Sequence, residues 1–279
     1  MVKPLRIKIV GIGGVGSYLA EWVSMSCAFH APDSVLFLID GDTFEPKNKE
    51  RQNFTEIGFK ARVVAKELQD QFPNVFLCAV PSWIVAPGME SIVEEGDEEN
   101  GVSKISATDF FEDGDIIILA VDNNACRSEV FKAASQLNDV DVFSGGNGEV
   151  KTGDPLFGSV YHWRRRDGAD VNGSPLQYHE DEFLHPTDRN PGELSCQERM
   201  KLDGGIQVLA ANVSVAAIIL AKMTMTVFSS NVEEIELGVN QGEVYFDWSV
   251  GLARANERPV VESTEEKSDD SIILLSNQV

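Results

Sequence analysis

The chain is poor in positive charge: 23 lysines and arginines stand against 45 aspartates and glutamates, a formal charge of −22 over 279 residues. Such a field repels polyanions. The one dense basic run, Arg164-Arg165-Arg166, is too short to overturn it, so no nucleic-acid partner is expected. Cysteine is scarce as well. The four thiols, Cys27, Cys78, Cys126 and Cys196, include no Cys-x-x-Cys pair, which argues against a zinc knuckle and against the disulfide framework of a secreted domain. A reducing, cytoplasmic compartment fits. A long unbroken apolar run is also missing: the stretch from Val208 to Phe228 is interrupted by Asn212, Ser214, Lys222, Thr224 and Thr226, so it reads as a buried helix and no membrane partner is expected. Met1-Val2-Lys3-Pro4-Leu5-Arg6 leads into a strand without a signal-peptide pattern.

What is present suits one large α/β domain. Arg6 to Val10 is a short β-branched run ending at Gly11, and from Gly16 to Met25 the apolar residues Leu19, Trp22 and Val23 recur at helical spacing. Val35 to Ile39 supplies a second strand that ends at Asp40, which completes a βαβ unit. Lys60 to Gln71 reads as a helix and Asn74 to Val80 as a third strand. Ile116 to Val121 is unbroken apolar sequence, as a strand buried on both faces requires, and Asp122-Asn123-Asn124 precedes a helix carrying Arg127. Val140 to Phe143 is a further strand, Ser144 to Gly148 a turn, and Phe157 to Arg164 an outer strand. Glu233 to Trp248 suggests two closing strands around Asn240-Gln241-Gly242.

The expected fold is therefore α/β: a Rossmann-like, mixed and mainly parallel sheet flanked by helices, with a C-terminal antiparallel extension. The domain is expected over residues 1–252. It would include an acidic segment at about 86–104, read as a solvated insertion or a helix with a charged face, and a long crossover loop at about 167–205. Residues 253–279 read as an acidic, flexible tail. His179 and His185, near Asp181 and Glu182, read as part of a polar loop rather than as a metal site.

The candidate site begins at the glycine loop Gly11-Ile12-Gly13-Gly14-Val15-Gly16-Ser17. Gly11 permits a sharp turn, Gly13 a close approach of backbone to phosphate, and Gly16 the packing of helix on strand. Asp40 follows at the spacing of a ribose-binding carboxylate. Taken alone, these features would serve an NAD-dependent oxidoreductase equally well. Hydride transfer gives no reason, however, for Asp42, Asn48, Arg51 and Gln52 to follow, nor for Lys60 on the next helix. Attack of a carboxylate on the α-phosphate of ATP does, because charge builds on the phosphoryl oxygens and the departing pyrophosphate. Fixed cations such as Arg51 and Lys60, and a metal-binding acid such as Asp122, would stabilise that charge.

Four ordered stretches, Gly11-x-Gly-Gly-x-Gly-Ser17, Asp40-x-Asp42 with Asn48, Arg51 and Gln52, Gly58-x-Lys60-Ala61, and Ala120-Val-Asp122-Asn123 with Arg127, cover about the first 130 residues. In them the chain resembles the superfamily of ubiquitin-activating enzymes and the bacterial adenylyltransferases of molybdopterin and thiazole biosynthesis. The resemblance implies that Gly11, Gly13, Gly14, Gly16 and Asp40 hold the nucleotide, with Asp42, Asn48, Gln52 and Asn123 completing that site. It implies that Arg51 and Lys60 hold the triphosphate and Asp122 the Mg²⁺. It further implies ATP and Mg²⁺ as cofactors, a homodimer, and as partner a ubiquitin-like or sulfur-carrier-type protein with a Gly-Gly C-terminus. Many relatives pass the activated carboxyl to a cysteine. Cys196, between Glu193, Glu198 and Arg199 in the crossover, is the candidate thioester nucleophile, whereas Cys27, Cys78 and Cys126 read as core. Relatives carry an N-terminal helix whose arginine reaches the partner's ATP site, and here five residues precede the first strand, so a degenerate ATP-binding scaffold of the same fold is a third expectation.

Overall fold

A computed structural model describes residues 3–44, 54–92, 102–148, 153–194 and 207–261. Among these, the strands in chain order are β1 Arg6–Val10, β2 Val35–Ile39, β3 Phe76–Val80, β4 Ser82–Val85, β5 Ser103–Ser106, β6 Asp115–Leu119, β7 Val140–Asn147, β8 Phe157–Arg166, β9 Ala169–Asp170, β10 Glu243–Asp247 and β11 Leu252–Asn256. The helices, numbered likewise, are α1 Gly16–His30, α2 Lys60–Gln71, α3 Ala107–Phe110, α4 Asn124–Ala134, α5 Pro175–Tyr178, α6 Glu180–Phe183, α7 Leu209–Thr226 and α8 Val232–Asn240.

The main sheet runs in the order β11-β10-β8-β7-β6-β1-β2-β3, with β9 paired to β8. Strands β1, β2, β3, β6 and β7 are mutually parallel, and the chain reverses at β8 to give an antiparallel extension through β10 and β11. This is the mixed, Rossmann-like sheet expected. Because β1 has β2 on one side and β6 on the other, the strand order switches direction at β1, and the crevice above the C-terminal ends of β1 and β6 is where ligands bind in such sheets.

Two apolar layers cover the sheet. Leu19, Val23 and Cys27 of α1, Val64 and Leu68 of α2, and Ala211, Val215, Ile219 and Met223 of α7 pack on one face. On the other, Ala107 of α3, Val130 and Phe131 of α4 and Phe183 of α6 enclose Ile117, Leu119 and Val142. Helix α7 is long and apolar enough to cross a membrane by length and composition. In the fold it lies across the sheet, with Ala211, Val215, Ile219 and Met223 fully buried.

Five details differ from expectation. Strand β7 does not turn at Ser144 but runs on through Asn147, since Gly145 and Gly146 lack the side chains that would collide with Val215 of α7 and with the Arg127 guanidinium. Residues 232–240 form helix α8, not a strand. Asn231 accepts a hydrogen bond from Glu233 N at 3.0 Å, and Glu233 and Glu234 sit at the positive end of that helix. The terminal hairpin is instead β10–β11, so paired strand continues past the boundary expected at residue 252, and Tyr178 Oη bonds Pro259 O at 2.7 Å. The acidic segment expected at about 86–104, of which residues 93–101 lie outside the described residues, is flanked by β4 and β5, which pair in parallel as a separate small sheet. The described part of the crossover expected as a loop contains β9, α5, α6 and a 3₁₀ turn at Pro191–Glu193, anchored by buried Phe183, Asn172 and Asn190. Its apolar residues are too isolated to show a period.

Candidate functional site

The glycine loop leaves β1 where Gly11 N donates to Ile39 O at 2.8 Å, with Gly11 at φ +90°. A Cβ on Gly16 would lie 1.8 Å from Gly11 O, so loop and helix meet with no room for a side chain. The loop thereby presents the N-terminus of the fifteen-residue helix α1, whose positive dipole end suits a phosphate.

Asp40, at the end of β2, lies beside this loop. Its Oδ2 accepts Ile12 N at 2.7 Å and its Oδ1 accepts Asp42 N at 2.7 Å. The carboxylate is buried, and burial raises its pKa; Asp42 adds to the rise, while Lys60 and the two amides oppose it without cancelling it. Asp42 is half exposed, and its Oδ2 pairs with Lys60 Nζ at 2.9 Å, while Lys60 N donates to Asp42 O at 2.9 Å. Burial alone would lower the Lys60 pKa. The carboxylates of Asp40, Asp42 and Asp122 outweigh it and push it up, which keeps Lys60 a cation. The Asp122 charge acts on Lys60 across the crevice, so residues from the ends of β2, β6 and α2 converge on the loop after β1.

Asp122 is exposed at the end of β6. The turn that carries it is fixed from below by fully buried Arg127, which donates to Val121 O at 2.6 Å and Gly145 O at 2.8 Å. Asn123 uses its Oδ1 to cap α4, accepting Cys126 N at 2.8 Å, which leaves its amide nitrogen as the group a ligand could meet. Hard carboxylate oxygens on Asp122 and Asp42 suit Mg²⁺, an ion that commonly takes one or two protein carboxylates and completes its shell with phosphates and water. Among the described residues no group of three or more His, Cys, Asp or Glu side chains is arranged to hold a metal by itself.

Asn48, Arg51, Gln52 and Cys196 lie outside the described residues. The rings of Phe44 and Phe54 stack at 4.3 Å. Cys27 and Cys126 are buried, and burial pushes both thiols up to about 12, so neither is a nucleophile at neutral pH. Arg6 pairs with Asp115 and Glu112 at the opposite end of β1, away from the crevice. His179 Nε2 lies 3.0 Å from Glu243 Oε1, in a structural contact between α5–α6 and β10.

Sequence reasoning missed two contributors. Trp83 of β4 lies between Gly41 and Gly192: a Cβ on Gly41 would sit 2.4 Å from the indole and one on Gly192 2.7 Å from Trp83 Cβ. The Asp40-Gly41-Asp42 turn therefore depends on a glycine to seat the ring. Asp188, on the crossover strap, accepts Asn124 N at 2.6 Å and Ala125 N at 3.0 Å and so caps α4 beside Asp122. No local signal marked either residue, because each reaches the site through tertiary contact.

A Rossmann-like switch-point crevice with a tight glycine loop, a buried carboxylate at the end of β2 and a lysine held among three acids defines the candidate site of a Rossmann-like α/β protein. The chain belongs to the ThiF family, whose model matches residues 2–236. No curated protein matches its sequence significantly. Among solved structures it is similar to E. coli MccB crystallised with AMPCPP and MccA (TM-score 0.56, 13% identity, 93% of this chain and 65% of that chain). A second MccB structure, with ATP, gives TM-score 0.56 at 12% identity over 93% and 65%. The microcin C7 biosynthetic enzyme MccB in complex with N-formylated MccA gives TM-score 0.51 at 14% identity, covering 93% of this chain and 67% of that one. The likeness is one of fold, and the chain spans about two thirds of the length of these neighbours.

Proposed function

We propose that the chain uses ATP and Mg²⁺ to adenylate the C-terminal carboxylate of a peptide or small protein. The observation that carries this reading is the convergence of Asp40, Asp42, Lys60 and Asp122 on the glycine loop. A ribose hydroxyl can donate to Asp40, and the loop amides face the phosphates. A carboxylate oxygen of the substrate attacks the α-phosphorus, the new C–O–P bond forms, and the bond to the β-phosphate oxygen breaks to release pyrophosphate. Lys60, with Arg51, offsets the charge that develops on the phosphoryl oxygens, and Asp122 would hold Mg²⁺, which when bound would supply Lewis-acid stabilisation of the developing charge. A hydride-transfer site has no use for a lysine poised between Asp42 and Asp122.

The substrate class we infer is a ubiquitin-like or sulfur-carrier-type protein ending in Gly-Gly. The MccA complexes of the neighbouring structures support a peptide terminus as the broader class. Cys196 as a thioester acceptor, a homodimeric assembly and a cytoplasmic location belong to the same proposal. Partner-dependent ATP–pyrophosphate exchange tests it. Asp122→Ala should lower exchange by roughly 10²–10³-fold, about 3–4 kcal/mol, without altering the melting temperature, because Asp122 is exposed. Exchange retained in this variant would sink the assignment, and tight NADH binding without ATP binding would replace the reading altogether. Mass spectrometry after incubation with ATP and partner separates a bare adenylate from a Cys196 adduct.

A further inference from the structure

Asn212 lies in the first turn of α7 and is fully buried, yet neither its Oδ1 nor its Nδ2 finds a hydrogen-bond partner among the described residues. Its amide presses on the glycine loop: a Cβ on Gly14 would come within 2.3 Å of Nδ2 and 3.1 Å of Cγ. Gly145 faces Val215 and Ile219 of α7, so Asn147, two residues further along β7, shares that face one step closer to the ligand edge, and its buried Oδ1 is also without a partner.

Burying an amide without partners is costly, and native proteins seldom tolerate it without a reason. Packing alone supplies none here. Leucine branches at the same carbon and would fill the space between α7 and the loop without an unmet donor or acceptor. Departures of this kind, where a local rule is broken with no structural return, concentrate at functional sites. The group that asks for an amide at Gly14 is the phosphate that a glycine loop of this type cradles, which accepts hydrogen bonds from any donor that reaches it.

We propose that Asn212 is a nucleotide-positioning residue, its Nδ2 donating to a phosphate oxygen seated at Gly13-Gly14, so that the length and charge of the bound nucleotide are sensed by α7 as well as by α1. The inference rests on the ATP reading above. It also gives Gly14 a specific task, since any side chain there would displace the amide.

The experiment compares ATP/Mg²⁺ with adenosine, each titrated by calorimetry or by displacement of a fluorescent nucleotide, in the full chain and in Asn212→Leu and Asn212→Asp. Unfolding temperatures are measured without nucleotide. The leucine variant should melt at or above the parent temperature, bind ATP about ten- to a hundredfold more weakly, as expected for a lost hydrogen bond to a charged group, and bind adenosine within about twofold. The aspartate variant, nearly the same shape but anionic, should lose still more ATP affinity and keep adenosine. Parent-like ATP affinity in Asn212→Leu, or equal losses for ATP and adenosine, would overturn the assignment. If the leucine variant does not fold, the aspartate pair of titrations decides alone. A parent protein that binds no ATP would remove the nucleotide reading itself, whereas a parent that binds ATP beside an unaffected variant removes only the role of Asn212.

Discussion

Two buried aspartates at opposite ends of the parallel strands of one sheet behave in opposite ways, and the contrast separates a carboxylate answered within the fold from one proposed to meet a ligand. Asp141, in β7, meets His162 Nε2 at 2.8 Å, Arg164 Nε at 2.7 Å and an Arg166 guanidinium nitrogen at 2.5 Å. Burial alone would raise its pKa, but the hydrogen bond from His162 and the two arginines outweigh burial and hold it well below the usual range. Asp40 is just as enclosed but is given two backbone amides at bonding distance, while Lys60 bonds to Asp42 instead. Its pKa is raised. The charge on Asp141 is answered from within the fold; that on Asp40 is answered incompletely, which is the condition in which a ligand hydroxyl adds most. Burial and a nearby cation are common to both, so neither identifies a site. The deciding quantity is how far the partners compensate.

Breaking the compensated cluster should have the largest effect. Asp141→Asn leaves buried Arg164 and the partly exposed Arg166 against a neutral amide and should cost about 3–5 kcal/mol of stability by chemical denaturation. Any folded fraction should bind ATP normally, since the cluster lies toward the far end of β7. A loss under about 1 kcal/mol would erase the contrast. Lys60→Met should come next, at about 1–3 kcal/mol, because it strips Asp42 of a charged hydrogen bond and Asp40 of its nearest cation. The same change made in an Asp40→Asn background should cost measurably less. Additive losses in that double-mutant cycle would show that Lys60 serves Asp42 alone.

This contrast was only half legible in the sequence. The βαβ unit, β1, β2 and α2 follow from contiguous residues: apolar period, glycine spacing and an aspartate at the strand end lie within one stretch of chain, and the structure brings Asp40, Asp42 and Lys60 together accordingly. The Asp141 cluster pairs strands through register, with Asp141 opposite Arg164, so the run Arg164-Arg165-Arg166 resembles a solvated loop until its neighbour is known. Helix α8 was masked by residues that alternate as acceptably in a strand as they wind in a helix. Asp188 reaches Asn124 across 64 positions, and Trp83 reaches Gly41 from a four-residue strand too short to show a period of its own. What local pattern encodes can be read; what a distant partner supplies cannot.

The smallest effect tests the comparison most closely, because its sign is opposite for the two aspartates. Asp40→Asn removes a poorly compensated charge and should change stability at pH 7 by no more than about 1 kcal/mol, since relief from burying a charge is offset by one amide left facing a donor. Nucleotide affinity should fall in the same variant through loss of the ribose contact. The pH dependence then separates the pair. The folded-state pKa of Asp40 is raised, so the native state holds the proton more tightly than the unfolded chain. Stability carried by this group therefore increases as pH falls from the folded pKa toward the ordinary carboxylate value, at no more than about 1.4 kcal/mol per unit. For Asp141 the folded pKa is lowered, so its contribution is complete above the ordinary carboxylate value and is lost only as pH falls beyond it. Denaturant titrations from pH 7 to 4 should accordingly show the parent gaining on Asp40→Asn as the solution is acidified, while its margin over Asp141→Asn stays level until about pH 4. Parallel profiles for the two variants would mean that the two carboxylates are equally compensated, and that Asp40 owes its place at the crevice to the backbone turn it closes rather than to a ligand.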